Sequence, residues 1–178
     1  IKKILIITLI PLFCKTQSEK PQTFGSATNY LLECPCKLFK YYEDGNMFYF
    51  CQDKSTNVEY RIKEYKHKDK IDIILNRISK NINKKEKKQL MKSREIESNN
   101  SLNNYRNNNP NGIITEIMQV KAIRVNNKLE NKLFFSDLNF ISSHELIVSG
   151  SDSTIVNYYF NKAIKSLTLK HKNIKKIF

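Results

Sequence analysis

Residues 30–66 combine aromatic and β-branched side chains with turn signals, and this pattern restricts the fold more than any other feature of the chain. The segment "EDGN" at 43–46 contains the Asp-Gly and Gly-Asn pairs that favour the positive φ angles of a tight hairpin turn. A second turn at 53–57 leads into "VEYRIKEY", in which apolar and polar residues alternate. We therefore expect three antiparallel strands in this part of the chain.

The hydrophobic period changes to that of a helix after Asp69, which is a suitable N-cap. The apolar residues that follow have helical spacing: Ile71, Ile74, Leu75, Ile78 and Ile82. Beyond this stripe the chain is rich in lysine, and eight of the thirteen residues at 99–111 are asparagine. Because such a composition offers little to bury, we expect a mobile Lys/Asn-rich segment at about 84–111, made of an exposed helix extension and a long loop.

We expect regular secondary structure to resume at Gly112. The β-branched content favours a strand at 112–125, and "LFFSDLNFI" and "LIVSG" supply two more, separated by a turn at 142–145. The segment 151–167 has apolar residues on one helical face, with residues 151–153 as its cap. The order of elements predicts the α+β class, with an antiparallel sheet of about six strands and two main helices packed on it.

The N-terminal residues have the composition of a signal peptide. Lys2 and Lys3 precede a ten-residue apolar run, which is too short to cross a membrane as a helix. We expect residues 1–17 to be removed on export to the periplasm or the extracellular space, so that the mature chain starts near Ser18. The alternative is an envelope lipoprotein acylated at Cys14, although the bulky Phe13 before this cysteine is unlike a lipoprotein signal.

These segments define the expected domain organisation. A polar leader at 18–29 precedes a single domain at 30–172, which the Lys/Asn-rich segment interrupts, and residues 173–178 form a C-terminal tail.

Three of the four cysteines lie within residues 33–51, where a disulfide, buried thiols and a metal or redox site are the alternatives. If Asp44-Gly45 forms the turn, Cys51 lies opposite residue 38, only two residues from Cys36. We therefore expect a Cys36–Cys51 disulfide rather than a Cys34–Cys51 disulfide, because the smaller offset needs less distortion. A zinc site is disfavoured, since Cys34 and Cys36 are separated by a single residue and no second pair exists.

Catalytic patterns are absent from the sequence. The segment "SSHE" at 142–145 holds a hydroxyl, an imidazole and a carboxylate, but triad members normally converge from distant segments. The segment "SGSDS" at 149–153 lacks the nucleophile-elbow pattern, and four glycines leave little material for a phosphate-binding loop. We predict no catalytic residue, no cofactor and no metal site. The expected role is binding or accessory, and an uncharacterised hydrolase is the less favoured alternative.

The net charge of +14 predicts attraction to polyanions at low salt. Motifs of specific nucleic-acid recognition are missing, so the expected partner is an anionic envelope component or an acidic protein. The alternative is a solvated basic surface without a partner. The candidate anionic-partner surface consists of Lys84, Lys85, Lys87, Lys88, Lys92 and Arg94.

The element order, with "MFYFCQD" at 47–53 after the first hairpin and "NYYFNKAIKSLTL" at 157–169, resembles the PsbP-like fold. That resemblance implies an exported α/β domain with an accessory or binding role, and it assigns no catalytic residue. The Lys-rich extension and the Asn-rich segment depart from the family pattern.

Overall fold

The computed structural model describes residues 21–26, 29–66, 83–137 and 142–169. The expected signal peptide, Cys14, the amphipathic helix predicted after Asp69 and the C-terminal tail lie outside the described residues.

The described residues form ten strands and two helices. The strands are β1 (Pro21–Phe24), β2 (Tyr30–Glu33), β3 (Phe39–Glu43), β4 (Asn46–Asp53), β5 (Val58–Lys66), β6 (Ile113–Ile117), β7 (Val120–Asn126), β8 (Glu130–Ser136), β9 (Ser142–Gly150) and β10 (Thr168–Leu169). The helices are α1 (Lys84–Asn108) and α2 (Ser153–Ser166).

Seven strands form one antiparallel sheet in the order β3-β4-β5-β9-β8-β7-β6, and β1, β2 and β10 form a second sheet with β2 in the middle. The α+β class is confirmed. The strand count differs, because ten strands in two sheets replace the single sheet of about six. The four additional strands are β1 and β10, the short strand β2 that is separate from β3, and the second strand of a hairpin that was expected to be one strand.

That hairpin is formed by β6 and β7. Met118 and Gln119 make the turn with φ angles of 47° and 67°, and Ile117 pairs with Val120 across it. Positive φ at two non-glycine residues is uncommon, so the sequence carries no ordinary turn signal here. The expectation of one strand at 112–125 was therefore wrong.

The expected polar leader contributes to the fold. Strand β1 pairs with β2, and the Phe24 ring is 1% exposed in the core, where it stacks with Tyr30. A single aromatic residue in a polar context has no periodicity, so its burial depends on the tertiary structure. The prediction that residues 18–29 lie outside the domain is corrected for residues 21–24.

The turn expected at 142–145 is instead the first part of the buried strand β9. Its polar side chains have partners, because Ser142 donates to Asp137 through both its amide and its hydroxyl. The hydroxyls of Ser136 and Ser143 lie 3.0 Å apart on neighbouring strands. These hydrogen bonds allow a polar sequence to occupy a central strand.

One face of the large sheet packs against α2 and the small sheet, and this layer contains the main core. Helix α2 begins after Asp152, whose side chain accepts hydrogen bonds from the amides of Thr154 and Ile155, as expected for the predicted cap. Val156 and Phe160 of this helix are fully buried.

The opposite face carries α1 across β7, β8 and β9. The helix continues through residues 99–108, so the long loop predicted there was wrong. Leu102 of α1 packs with Ile123, Val125 and Phe134 of the sheet, and burial of this contact offsets the modest helix penalty of the asparagines. At the other end, Asn83 and Glu86 form a capping box.

Candidate anion-binding surface

Helix α1 is attached to the sheet by its C-terminal half. Its two buried residues are Ser98 and Leu102, and neither lies in the first three turns. The side chains of Lys84, Lys85, Lys87, Lys88 and Lys92 are exposed there, and Arg94 is half-buried. The predicted basic residues therefore lie on the part of the helix that is most accessible to a partner.

A buried carboxylate helps to fix the rotation of α1 about its axis. The Tyr105 ring stacks on Phe134 with centroids 4.3 Å apart, and its hydroxyl donates to Glu145 at 2.7 Å. The Tyr65 hydroxyl donates to the other oxygen of the same carboxylate at 2.8 Å. Burial and the neighbouring Glu145 carboxylate raise the pKa of both Tyr65 and Tyr105, so both phenols remain protonated donors.

With this rotation fixed, a set of six exposed basic or amide residues falls on one side of α1. Their spacings of three, four, seven, four and three residues follow the helical period. This set, here called the basic stripe, consists of Lys85, Lys88, Lys92, Asn99, Asn103 and Arg106. From first to last residue the stripe is about 32 Å long at the helical rise of about 1.5 Å per residue.

One carboxylate interrupts the stripe. Glu95 lies three residues after Lys92 and four before Asn99, so it falls on the same side of the helix, and it is exposed. The positive potential is therefore concentrated in the first three turns and again at Arg106.

The C-terminal end of the stripe borders a cleft between α1 and the β6–β7 hairpin. The cleft has a volume of about 190 Å³, enough for a small anionic group. Arg106 from the helix and Lys121 from β7 place two cations there, and Asn99 and Asn103 add amide donors. Such a combination suits a sulfate, carboxylate or phosphate oxygen.

The six residues predicted from sequence separate into two groups. Lys85, Lys88 and Lys92 belong to the basic stripe. Lys87 and Arg94 fall on the side of the helix that carries Ser98 and Tyr105, and Lys84 lies between the two sides. Asn99, Asn103, Arg106 and Lys121 were missed, because residues 99–111 were expected to form a loop. The helical spacing of polar residues from Lys85 to Arg106 was the signal in the sequence that could have identified these residues.

The hairpin cysteines lie away from this surface. The structure joins Cys36 and Cys51 in a disulfide with Cα atoms 5.8 Å apart. The strands pair Phe39 with Phe50, which is the register of an Asp44-Gly45 turn. Cys34 is buried outside this bridge, and its Sγ donates to the Cys36 carbonyl at 3.1 Å.

The groups considered for catalysis are distributed through the core. The His144 ring is fully buried among Phe24, Tyr30 and Phe135, with centroid distances between 5.2 and 5.7 Å. Ser143 and Glu145 face the opposite side of the sheet, because side chains alternate along β9. The arrangement separates the imidazole from its neighbouring hydroxyl and carboxylate.

A second buried carboxylate lies near this imidazole. Glu64 is directly opposite His144 on the neighbouring strand and accepts hydrogen bonds from the amide and hydroxyl of Ser26. Burial and the Glu64 charge raise the pKa of the Tyr49 phenol to about 12. Across the four described ranges, no group of three or more His, Cys, Asp or Glu side chains has the arrangement of a metal site.

Comparisons with protein-family models, curated proteins and solved structures gave no match for this chain. The PsbP-like resemblance therefore stays a prediction. Neither described helix combines the length and apolar character needed to cross a membrane.

Proposed function

We propose that this chain is a small exported, non-catalytic protein that binds a linear anionic polymer, such as an acidic polysaccharide of the cell envelope, along the basic stripe of α1. The observation that carries the proposal is the stripe itself, in which exposed cations and amides line one side of a docked helix and end at the Arg106–Lys121 cleft. A module of this kind needs charge and hydrogen-bond donors at regular intervals, and it needs no reactive group.

The shape of the surface favours a linear polymer over a flat bilayer. A helix that lies on a membrane directs an apolar face into the lipid. In α1 the apolar residues Leu102 and Tyr105 are packed against the sheet, and Ile96 is the one large apolar residue exposed beside the stripe. A single exposed side chain does not form the continuous apolar face that a membrane-bound helix needs. A chain with repeated negative groups can follow such a stripe for about 32 Å.

The proposal predicts a site-specific and salt-dependent affinity for a sulfated polysaccharide. The triple substitution Lys85→Glu, Lys88→Glu, Lys92→Glu reverses the three lysines of the basic stripe and is expected to weaken heparin binding at least about tenfold. The matched control reverses three exposed lysines elsewhere: Lys37, Lys54 and Lys128. It changes the net charge equally and is expected to weaken binding less than about threefold.

Calorimetry at low and high salt measures both affinities, and circular dichroism checks that each variant folds. Equal losses in the two triple variants would show that net charge alone binds the polymer and would overturn the stripe. Binding to vesicles of anionic phospholipid in preference to heparin would assign the surface to a membrane instead.

A lipid-anchored form of the same protein is the second candidate, since Cys14 directly follows the apolar run. Mass spectrometry of the N-terminus of the protein expressed in its full-length form distinguishes the two. An unmodified start near Ser18 supports the soluble exported form, whereas an acylated Cys14 supports the anchored form.

A further inference from the structure

Strand β3 forms one end of the seven-stranded sheet, and no described strand pairs with its outer edge. All five of its residues are exposed, and the Phe39 and Tyr42 side chains are 63% and 64% exposed. An open edge with large apolar side chains is a template for another strand, and soluble proteins usually protect such edges.

The register of the hairpin shows which backbone groups point outward. Glu43 pairs with Asn46 across a two-residue turn, and the pair that closes such a turn is hydrogen-bonded. Hydrogen-bonded and non-bonded pairs alternate along an antiparallel ladder. The amides and carbonyls of Lys40 and Tyr42 therefore face the open edge.

The aromatic rings on this hairpin stack across the strands, along the direction that leads to the open edge. Tyr41 and Phe48 lie opposite each other, and their rings are parallel to within 9° with centroids 5.1 Å apart. This separation is close to the spacing of neighbouring strands, so the ring planes stand across the direction of the ladder. The Lys63 ammonium lies 5.5 Å from the Phe48 centroid on the next strand inward. The outer face of Tyr41 is directed to the open edge.

The charges around β3 are arranged by sign. Lys37 and Lys40 lie at its N-terminal end, whereas Glu43 and Asp44 lie at its C-terminal end. An antiparallel partner of the same sequence would bring each basic end beside an acidic end, while a parallel partner would bring like charges together.

We propose that two copies of this chain associate through their β3 strands, paired antiparallel about a two-fold axis at Tyr41. In this register Lys40 lies opposite Tyr42 of the second copy. The outward backbone amides and carbonyls of these two residues can then hydrogen-bond to each other. The two Tyr41 rings stack on each other at a non-hydrogen-bonded position, where side chains approach most closely. Two seven-stranded sheets become one continuous sheet.

The other edge of the large sheet lacks these features. Strand β6 carries the exposed Ile113 and Ile114 but no aromatic residue, and Glu116 is its single charged residue. Pairing of β3 with β6 of another copy would leave free edges at both ends and would therefore grow into open filaments.

The contact is short, so the dimer is expected to be reversible with a Kd in the micromolar range, or about −8 kcal/mol. Sedimentation velocity of the full chain from about 1 to 200 μM should show a monomer–dimer equilibrium. A protein that remains monomeric throughout this range, or one that grows into filaments, overturns the proposal.

Proline substitution tests which edge is used. Tyr42→Pro removes an outward amide that β4 does not use, and it is expected to raise the dimer Kd at least about tenfold. Glu116→Pro is the matched change on β6. Ile117 and Val120 close the turn there, so the backbone amide of Glu116 faces the outer edge. It is expected to change the dimer Kd less than about threefold. The reverse result would place the contact on β6.

A charge exchange tests the antiparallel arrangement and does not depend on proline. Lys37→Glu with Lys40→Glu makes both ends of β3 acidic, and Glu43→Lys in a second variant neutralises the charge of its acidic end. Each variant alone is expected to dimerise at least about tenfold more weakly than the unmodified protein. An equimolar mixture should dimerise more tightly than either variant alone, because the acidic Glu43–Asp44 end of the first variant then meets the basic Lys37–Lys40 end of the second. Failure of the mixture to dimerise more tightly would overturn the pairing, and heparin binding by α1 is unaffected by either result.

Discussion

At the scale of single residues, two carboxylates buried on opposite faces of one sheet have different surroundings. Glu145 accepts from two phenols, those of Tyr65 and Tyr105, and holds a helix against the sheet. Glu64 accepts from Ser26 and holds the segment after β1. In each case a buried charge is satisfied by donors from another part of the chain, so the hydrogen bonds link elements that are distant in sequence.

The Tyr105 hydroxyl is expected to stabilise the attachment of α1. Replacing Tyr105 by Phe keeps the stacking on Phe134 and removes one donor to a buried carboxylate, at a cost of about 1.5–3 kcal/mol in the free energy of unfolding. The control is Tyr158→Phe on α2, whose side chain is 60% exposed, and which should change stability by less than about 0.5 kcal/mol. Urea unfolding measures both. Equal effects would show that the Tyr105–Glu145 hydrogen bond contributes nothing specific.

At the scale of elements, two hairpins of the large sheet, β3–β4 and β6–β7, have two-residue turns that differ in how well their residues tolerate positive φ angles. Asp44-Gly45 has two positive φ angles, 47° and 78°, at residues that tolerate them well. Met118-Gln119 has the same backbone pattern with two side chains for which it is unfavourable. The second hairpin forms because β7 is paired on both sides and its Ala122 and Ile123 are buried.

The strain at Met118-Gln119 predicts a stabilising substitution. Met118→Asn with Gln119→Gly provides the residues that a turn with two positive φ angles prefers, and it is expected to raise the free energy of unfolding by about 1 kcal/mol. Lys128→Gly, at an exposed position outside the positive-φ set, is the control and should lower stability slightly. Thermal and urea unfolding compare the three proteins. A loss of stability in the double variant would show that packing of the Met118 side chain outweighs the strain.

At the scale of the whole molecule, both ends of the described chain meet in the small sheet. Strands β1 and β10 pair on either side of β2, and this sheet covers the core that contains Phe24, Tyr30 and Tyr49. Because elements from both ends complete one core, we expect the domain to unfold as a single cooperative unit.

The buried Tyr49 predicts how this unit responds to alkali. Burial, followed by the charge of Glu64, raises its pKa to about 12 from about 10 in the unfolded chain. The unfolded state therefore binds fewer protons than the folded state between these values. This contribution to stability is fully present below about pH 10 and is lost as the pH rises towards 12.

Unfolding free energies measured by urea titration between pH 9 and about 12 should fall more steeply in the native protein than in Tyr49→Phe. The raised pKa values of Tyr65 and Tyr105 act in the same direction and remain in both proteins. Parallel pH profiles would show that Tyr49 titrates normally.

Local patterns in the sequence were sufficient for two elements. The "EDGN" turn and its flanking aromatics predicted the β3–β4 hairpin, because positive φ angles at Asp and Gly are a property of those residues themselves. The apolar period and the Ser/Asp cap predicted α2, since its buried stripe lies within one helix. The expected antiparallel α+β arrangement follows from elements of this kind.

Tertiary contacts decided the remaining elements and the candidate site. Residues 99–108 are helical because Leu102 and Tyr105 find partners on strands that follow later in the chain, and residues 142–145 form a strand because Asp137 and Ser136 satisfy their hydroxyls. The strand partners of α1 lie far outside a local window of sequence, and Asp137 and Ser136 are near in the chain but form no pattern that indicates a strand. The side of α1 on which Lys85, Lys88 and Arg106 face solvent depends on these same contacts. Composition alone could place positive charge in this segment, but only packing of the helix against the sheet could arrange it as a surface.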